Sequence, residues 1–289
     1  MKVLVLGAGG QVGRAVALMP ATGHEVLART REELDLTDAA ALARAVEEAR
    51  ADWVVNAAAY TAVDRAEDEP ARAAAINDTA VGTLARAAAR AGSRVLHLST
   101  DFVFDGHSGR PYRPGDGANP LSVYGATKLA GEAKVLGADC GGIVLRTAWV
   151  YAAAGRNFVL TMLRLMSERE QVRVVCDQMG SPTWASGLAA AIWGLMRVGA
   201  AAGVYHWTDL GVASWYDFAV AIQEESLARN LLRRAAQVVP IAASEYPTRA
   251  RRPAFSVLDG SATRALPLSA PAVHWRSNLR SMLDELRAA

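Results

Sequence analysis

The chain has little cysteine and no excess of charge of one sign. Its 289 residues include two cysteines, Cys140 and Cys176, which lie far apart and outside any CxxC spacing. We therefore expect two buried reduced thiols rather than a disulfide framework or a metal site. The formal net charge is +2, with basic and acidic residues interspersed along the chain. Nucleic acid is not an expected partner, because its binding favours a concentrated basic patch.

The apolar stretch near the amino terminus is short. It ends at Gly7, so it is too short for the apolar core of a signal peptide or for a membrane span. We interpret it as a first β-strand and expect a cytoplasmic protein with no membrane partner. Hydrophobic residues make up 52% of the chain and charged residues 21%. This composition is typical of a globular protein with a sizeable core.

Short apolar runs alternate with alanine-rich stretches through the first half of the chain. This alternation is typical of βαβ units and predicts an α/β fold built on a Rossmann-type doubly wound parallel sheet. The expected strands cover residues 2–6, 25–28, 53–56, 94–98 and 143–146, and the expected helices cover residues 39–50, 70–91 and 123–136.

The alternation becomes less regular after about residue 149. The sequence predicts a helix at 158–168, a strand at 172–176, a helix at 182–197 and a terminal helix from about residue 277. We expect residues 1–150 to form an NAD(P)-binding domain, to which a return segment at about 170–205 belongs. Residues from about 151 to 169 and from 206 to 289 are expected to form a smaller α/β substrate-binding lobe.

A glycine turn directly follows the first expected strand. Gly7, Gly10 and Gly13 fit the pattern GxxGxxG, and Gln11 and Val12 open the helix that comes next. Glycines allow a tight turn and a close approach of the backbone to a pyrophosphate, while a helix start offers free N–H groups and the positive end of its dipole. The turn therefore predicts a dinucleotide site that includes these five residues.

The end of the second strand indicates which nicotinamide nucleotide binds. In NAD-binding proteins an acidic residue about 20 positions past the glycine turn accepts the ribose hydroxyls. Arg29 and Arg31 stand at this place, and arginines suit a 2′-phosphate, so we expect NADPH, with NADH as the alternative if both arginines are merely solvated. Asp35 and Leu36 either line the adenine pocket or begin the next helix.

Small residues follow the third strand. Ala57, Ala58 and Ala59 precede Tyr60 and Thr61, at the carboxyl end of a parallel strand, where ligands of such sheets bind. Small side chains let a ribose and a nicotinamide lie close to the backbone, although tight helix packing also selects alanine. We expect these five residues to contact the cofactor.

Tyr124 and Lys128 are the expected proton-donating pair. Their i, i+4 spacing places the phenol and the ammonium on one face of a helix. A nearby cation favours the phenolate and so makes the phenol a better acid. Thr100, at the end of the strand that begins at residue 94, is expected to donate a second hydrogen bond to the substrate oxygen. We interpret His97 as a hydrogen-bonded strand histidine.

These motifs occur together in one known family. Residues 99–106, 124–132 and 146–151 resemble the dTDP-4-dehydrorhamnose reductase family of extended short-chain dehydrogenases/reductases, as do residues 57–64, 177–183 and 251–253. The resemblance spans nearly the whole chain. It implies NADPH-dependent reduction of the 4-keto group of dTDP-4-dehydro-L-rhamnose to dTDP-L-rhamnose.

The resemblance also implies roles for individual residues. Tyr124 would protonate the 4-oxygen, Lys128 would hold the nicotinamide ribose and tune the tyrosine, and Thr100 would bind the substrate carbonyl. Asp101 and Trp149 match substrate contacts of the family. Three arginines either contact the diphosphate of the dTDP-sugar, since guanidinium binds phosphate oxygens bidentately, or form a solvated basic loop: Arg249, Arg251 and Arg252.

Some members of the family hold a divalent ion between two subunits through glutamates. Here the corresponding positions are Ala15, Ser186 and Glu285. Two of the three carboxylates are absent, so we predict no metal, and a homodimer would have to form without one.

Three alternative functions remain open. An epimerase or dehydratase of the same superfamily would need further acid or base groups, and Asp101 is followed by Phe102 where such dehydratases tend to have a second acid. A related ketoreductase could make a different deoxysugar, because the product stereochemistry depends on the substrate's orientation. A regulatory subunit could keep the fold without catalysis, although it would not need Thr100, Tyr124 and Lys128.

Overall fold

A parallel six-stranded sheet is the largest element of the protein. The structure is a computed structural model that describes residues 1–19 and 23–288. The first half of the chain contributes five of its strands together with six helices. These elements are β1 (Lys2–Leu6), α1 (Gln11–Leu18), β2 (Glu25–Arg29), α2 (Ala39–Ala49), β3 (Trp53–Asn56), α3 (Val63–Asp68), α4 (Pro70–Ala74), α5 (Ala80–Ala91), β4 (Arg94–Thr100), α6 (Val123–Leu136) and β5 (Ile143–Thr147).

The second half of the chain has shorter strands. Its elements are β6 (Val150–Tyr151), α7 (Phe158–Glu168), β7 (Gln171–Val175), β8 (Met179–Gly180), β9 (Thr183–Trp184), α8 (Ala185–Arg197), β10 (Gly203–His206), β11 (Ala213–Ser214), α9 (Trp215–Leu227), β12 (Gln237–Ile241), α10 (Ser261–Arg264) and α11 (Trp275–Ala288).

The strand order of the large sheet is β10-β5-β4-β3-β1-β2, and all pairings are parallel. The chain leaves β1 toward β2 on one side and then returns to β3 on the other side. The order therefore reverses between β1 and β3, where Leu6 is paired with Asn56. In sheets of this kind a ligand binds beyond the carboxyl ends of the strands at that reversal.

Helices cover both faces of the sheet. On one face, α2 and α5 bury a cluster that includes Leu42 and Leu84. On the other face, α8 packs against α1 and buries Ile192 and Trp193 against β1 and β5. Strands that are buried on both faces carry continuous apolar side chains, as those of β1 do. The predicted Rossmann-type doubly wound sheet is confirmed.

A smaller lobe with its own core lies beyond the carboxyl ends of the large sheet's strands. It contains three two-stranded pairings, β6 with β9, β7 with β12, and β8 with β11. Helices α7, α9 and α11 cover a core in which Tyr151, Phe218 and Trp275 pack together. The predicted α/β fold with a smaller second lobe is confirmed.

The expected return segment at about 170–205 contains two kinds of structure. Helix α8 packs against the large sheet, and strand β10 pairs with β5 in it. By contrast, β7 pairs with β12 along its whole length and therefore lies in the smaller lobe. Helix α8 begins at Ala185 rather than at 182, because Thr183 and Trp184 pair with β6.

The helix predicted at 70–91 is interrupted. A π-helical turn, Ala75–Thr79, separates α4 from α5. Within this turn Asn77 donates and accepts hydrogen bonds with the backbone of Tyr60, and it donates to Thr127 on α6. These contacts to another segment lie outside the i, i+4 pattern on which the sequence prediction rests, so periodicity does not reveal the turn.

The two cysteines differ in exposure. Cys140 is a buried free thiol as predicted, whereas Cys176 is exposed because it follows the last paired residue of β7. Among residues 1–19 and 23–288, no helix combines the length and the apolar content needed to cross a membrane.

Candidate active site

The glycine turn is packed against the end of β3. Gly7 has φ +80, and a Cβ at this residue would lie 2.6 Å from the backbone nitrogen of Ala58. A Cβ at Gly13 would collide with the carbonyl oxygen of Gly7. The N–H groups of Gly7 and Ala8 both donate to the carbonyl of Arg29 at 3.0 Å, which fixes the turn to the end of β2. Glycine is therefore required at positions 7 and 13 by backbone geometry.

The start of α1 suits an anionic ligand. Its N-cap is Gly10, and no side chain caps the helix. The first N–H groups of a helix lack intrahelical partners and lie at the positive end of the dipole, and here they belong to Gln11, Val12 and Gly13. Gln11 also accepts a hydrogen bond from Asn157 at 3.0 Å, which links the turn to the smaller lobe. The cradle fits the pyrophosphate of a dinucleotide.

Arg29 and Arg31 are exposed at the end of β2, beside the glycine turn. The Arg29 guanidinium donates to the carbonyl of Ala28 at 3.2 Å. Asp35 accepts hydrogen bonds from the backbone and hydroxyl of Thr37, which together with nearby arginines lower its pKa. Leu36 is half-buried against the core under α2. The two arginines thus leave their charge available to a ligand.

The segment after β3 lies at the point where the strand order reverses. Ala57 donates to the carbonyl of Leu6, which joins the segment to β1. Ala57, Ala58 and Ala59 are half-buried and Thr61 is exposed. The Tyr60 side chain, however, donates to Glu69 at 3.0 Å, so its phenol is engaged with α3 and α4. We expect the backbone at Tyr60, rather than its phenol, to border the ligand.

Tyr124, Thr100 and Lys128 lie together at the carboxyl end of β4. Ser122 caps α6 by accepting from the backbone of Gly125, which starts the helix just before Tyr124. The start of α6 packs against the turn that follows Thr100, where the Tyr124 ring contacts Phe102 edge to face, and the Thr100 side chain is near enough to lower the pKa of Tyr124. Lys128 is buried, and its Nζ donates to the carbonyl of Leu98 at 2.6 Å. The structure therefore places Thr100, Tyr124 and Lys128 side by side, as their positions in the sequence predict.

The electrostatics of this group differ from the expectation. Burial raises the pKa of Tyr124 to about 12, against the lowering effect of the Thr100 hydrogen bond. Burial also lowers the pKa of Lys128 to about 8, while the charge of Glu132 raises it. Lys128 Nζ is directed toward Leu98 and His97, so burial rather than the lysine charge dominates the pKa of Tyr124. Tyr124 holds its proton at neutral pH.

Asp101 is buried next to the same group. Its Oδ1 accepts from the Thr100 hydroxyl at 3.0 Å, and burial raises its pKa to about 6, while the nearby Ser256 and Thr100 side chains lower it. Within residues 1–19 and 23–288 its Oδ2 has no hydrogen-bond partner. A buried carboxylate oxygen without a partner is costly, so it suits a ligand hydroxyl.

Trp149 and Arg252, the other expected substrate contacts, lie in different settings. Trp149 follows β5 and has φ +49, which is uncommon for a residue with a side chain. Its ring packs so closely on Gly180 that a Cβ at Gly180 would collide with the ring.

Arg252 donates to Asp64 at 2.7 Å, and the neighbouring Arg249 is paired with Asp68 at 2.6 Å. Both arginines therefore hold their loop against α3.

Several residues of the site were not predicted from the sequence as part of it. Asn77 fixes the backbone of Tyr60 from the π-helical turn. Glu132 forms a buried ion pair with Arg146 at 2.6 Å and also accepts from Ser99. Their signal in the sequence is weak, because each is a single polar residue inside an otherwise regular helix or strand.

A groove beside the glycine turn contains the positions that correspond to the ion site of some relatives. Ala15, Ser186 and Glu285 all line it, together with Gln11 and Arg14. In the described residues 1–19 and 23–288, no group of three or more histidine, cysteine or acidic side chains is arranged to hold a metal ion. The predicted absence of a metal remains a prediction.

Comparisons with known proteins assign the family. A family model described as the RmlD substrate binding domain matches residues 1–288. The dTDP-4-dehydrorhamnose reductase of Burkholderia thailandensis is 47% identical over 276 residues, which cover 91% of this chain and 92% of that protein.

Two crystal structures agree with this assignment. A dTDP-4-dehydrorhamnose reductase from Clostridium acetobutylicum has a TM-score of 0.92 and 35% identity, and the match covers 99% of this chain and 100% of that one. A dTDP-4-dehydrorhamnose reductase from Bacillus anthracis, solved in complex with NADP, has a TM-score of 0.92 and 31% identity, covering 98% of this chain and 99% of that one.

The fold and the arrangement around Tyr124 are those of an extended short-chain dehydrogenase/reductase. The glycine turn lies where the strand order reverses, and a tyrosine and a lysine one helical turn apart face the end of β4. Within this class, the chain belongs to the dTDP-4-dehydrorhamnose reductase family.

Proposed function

We propose that this protein uses NADPH to reduce the 4-keto group of dTDP-4-dehydro-L-rhamnose, giving dTDP-L-rhamnose. The observation that carries the proposal is the position of Tyr124, in the first turn of α6, beside Thr100 at the carboxyl end of β4. Two neighbouring hydroxyls can both donate to a single carbonyl oxygen, provided that the single proton of Thr100 turns from Asp101 Oδ1 to that oxygen. The relatives named above support the choice of substrate.

The residues around the glycine turn would hold the cofactor. The first turn of α1, from Gln11 to Gly13, would bind the pyrophosphate, and Arg29 with Arg31 would bind the 2′-phosphate. Asp35 and Leu36 would lie toward the adenine, and residues 57–61 would border the nicotinamide ribose. The complex of the Bacillus anthracis relative with NADP supports this choice of nucleotide. When bound, the reduced nicotinamide supplies the hydride.

Tyr124 would donate the proton. Its raised pKa keeps the phenol protonated at neutral pH, so the proton is available when negative charge builds on the substrate oxygen. Thr100 would turn its hydroxyl proton from Asp101 Oδ1 and donate a second hydrogen bond to the same oxygen. Its oxygen is held in place because it accepts from the backbone of Phe102. Lys128 would hold the ribose through its ammonium.

The dTDP-sugar would lie between the large sheet and the smaller lobe. The free Oδ2 of Asp101 would accept from a sugar hydroxyl, and Trp149 would pack against the sugar. Arg252 is half-buried and paired with Asp64, so it would approach the diphosphate while it keeps that ion pair. Arg251 is exposed on the same loop and is free to contribute. The division into a cofactor domain and a substrate lobe is part of the proposal.

The first experiment follows the loss of reduced-nicotinamide absorbance with purified protein, NADPH and enzymatically prepared dTDP-4-dehydro-L-rhamnose. The wild type should oxidise NADPH, and Tyr124→Phe should lose at least about 10²-fold in kcat, since a general acid contributes roughly 10² to 10⁴. Tyr205→Phe is the matched control, because Tyr205 lies on the outermost strand of the sheet and donates to Ala201.

Each alternative function predicts a different outcome of this assay. Wild-type protein that binds NADPH but never oxidises it with this sugar would overturn the proposal in favour of another nucleotide sugar or of a regulatory subunit. Turnover of a nucleotide sugar without net NADPH oxidation would indicate an epimerase. A Tyr124→Phe variant with full activity would remove Tyr124 as the proton donor.

A further inference from the structure

His97 is a fully buried histidine in the centre of the large sheet. Its exposed fraction is 0%, and it lies on β4, the strand that ends at Thr100. Its Nε2 lies 3.2 Å from Lys128 Nζ, and its Nδ1 lies 3.0 Å from Asn56 Nδ2. The ring therefore connects the lysine of the catalytic group with the last residue of β3.

The approach of α6 to this ring depends on a glycine. A Cβ at Gly131 would lie 3.5 Å from His97 Nε2 and would collide with the carbonyl oxygen of Asn77. Because Gly131 has no side chain, α6 lies close enough to β4 for Lys128 to reach both His97 and the Leu98 carbonyl. An ammonium has three N–H donors. When a charged Lys128 donates to His97 Nε2 and to the Leu98 carbonyl, one N–H is left for a ligand.

Other charged groups near the lysine are already engaged. Glu132 is paired with Arg146 and accepts from Ser99, although its charge still acts on Lys128. Asp101 and Tyr124 face the opposite side, toward Thr100. His97 is thus the side chain that directly holds Lys128 Nζ among the residues described.

The hydrogen bonds around His97 depend on the charge of Lys128. The ring is neutral, since burial and then the charge of Lys128 hold its pKa well below the ordinary value, and a neutral imidazole has one N–H and one acceptor. The Asn56 carbonyl oxygen accepts from Ala58 at 3.2 Å, so its amide donates to Nδ1 and Nε2 carries the proton. Nε2 then donates to an uncharged lysine. A charged lysine requires the other tautomer and a turned Asn56 amide.

We propose that His97 is a positioning residue that holds Lys128 toward the nicotinamide ribose and switches tautomer when Lys128 changes charge. The proposal rests on the proposed function, in which Lys128 binds the ribose. Asn56 completes the arrangement, because it joins the ring to the segment that would border the same ribose. Loss of the Nε2 contact should therefore weaken cofactor binding even though His97 itself lies too deep to touch the cofactor.

Two substitutions of His97 test the roles of its two ring nitrogens one at a time. His97→Gln places an amide near the position of Nε2 and should keep the contact to Lys128, whereas His97→Asn reaches only the position of Nδ1. The Kd for NADPH, measured by protein fluorescence, should rise roughly 10- to 100-fold for the Asn variant, as expected for loss of one hydrogen bond to a charged group. It should rise less than about threefold for the Gln variant. Equal Kd values for the two variants would overturn the proposal.

His206 supplies a matched control. It is also fully buried on a strand of the same sheet, but its Nδ1 contacts the carbonyl of Tyr112. His206→Asn should lower the thermal unfolding temperature without changing the Kd for NADPH. An equal loss of NADPH affinity in His206→Asn and His97→Asn would reduce the role of His97 to general packing.

A measurement on the wild type does not depend on any variant folding. In ¹⁵N-histidine NMR spectra without ligands, His97 should show no imidazolium near pH 6.5, because its pKa is held well below that value. Its ring should change tautomer near pH 8, where Lys128 titrates. A ring that becomes an imidazolium near pH 6.5, or keeps one tautomer throughout, would contradict the switch. Neither this spectrum nor the NADPH titration uses the sugar nucleotide, so both remain decisive if the proposed substrate is wrong.

Discussion

The indole rings of Trp149 and Trp215 are stacked face to face, with centroids 3.4 Å apart and planes 4° from parallel. Trp149 follows β5 of the large sheet, whereas Trp215 is the first residue of α9 in the smaller lobe. Gly180 packs on the same ring. The ring proposed to contact the sugar is therefore fixed by residues of the smaller lobe, and its left-handed backbone is held by this packing.

Trp215→Ala should raise the KM for the sugar nucleotide about 3- to 10-fold, because an aromatic pair contributes about 0.5–1.5 kcal/mol beyond area burial. The KM for NADPH should not change. Trp215→Phe keeps a ring against Trp149 and serves as the control. Steady-state kinetics at saturating NADPH measure the effect, and an unaltered KM for the sugar in Trp215→Ala would contradict it.

Arg29→Ala should raise the KM for NADPH by about tenfold and leave that for NADH unchanged, because the guanidinium loses a charge-assisted contact to the 2′-phosphate alone. Arg31→Ala should act in the same direction. Arg44→Ala removes an exposed charge from α2 and is the control. If NADPH and NADH respond equally to Arg29→Ala, then Arg29 does not read the 2′-phosphate.

Asp209 should make the protein less stable as pH rises. It is 5% exposed, accepts from the backbone of Trp184 at 3.1 Å, and burial raises its pKa to about 7 against a hydrogen bond from Asn278. The unfolded value is about 3.9. Between these values the folded state binds the proton more tightly, so the free energy of unfolding falls as pH rises from about 4 to 7, by at most roughly 4 kcal/mol.

Asp209→Asn removes this titration and keeps an oxygen that can accept from Trp184. The variant should lose much less stability than the wild type between pH 4.5 and 7.5, as measured by urea unfolding at several pH values. Asp217→Asn, on the neighbouring helix α9, is the control for a carboxylate that caps a helix. Parallel pH profiles for the wild type and Asp209→Asn would show that Asp209 does not set the dependence.

Local patterns predicted the large sheet because its signals are short-range. The buried strand β1 is a continuous apolar run. The glycine turn, the strand that ends at Thr100 and the helix that carries Tyr124 and Lys128 were all located by spacing. Parallel strands bring their carboxyl ends to one edge, so the order of the motifs along the chain was enough to bring them together.

The smaller lobe was harder to place because its contacts are long-range. The pairing of β7 with β12 joins segments about 65 residues apart, and two-residue strands such as β6 and β9 carry no readable period. The break in the helix at 75–79 also escaped prediction, since its cause is the contact between Asn77 and the Tyr60 backbone.

By itself, the sequence determined the glycine cradle, the Thr100, Tyr124 and Lys128 group and the family resemblance, because each depends on residue types at fixed local spacing. Only the tertiary structure decided how these groups are held. It directs Lys128 to His97 and the Leu98 carbonyl, pairs Glu132 with Arg146 and stacks Trp215 on Trp149. Burial then sets the pKa values of Tyr124 and Lys128, and burial depends on how distant segments pack.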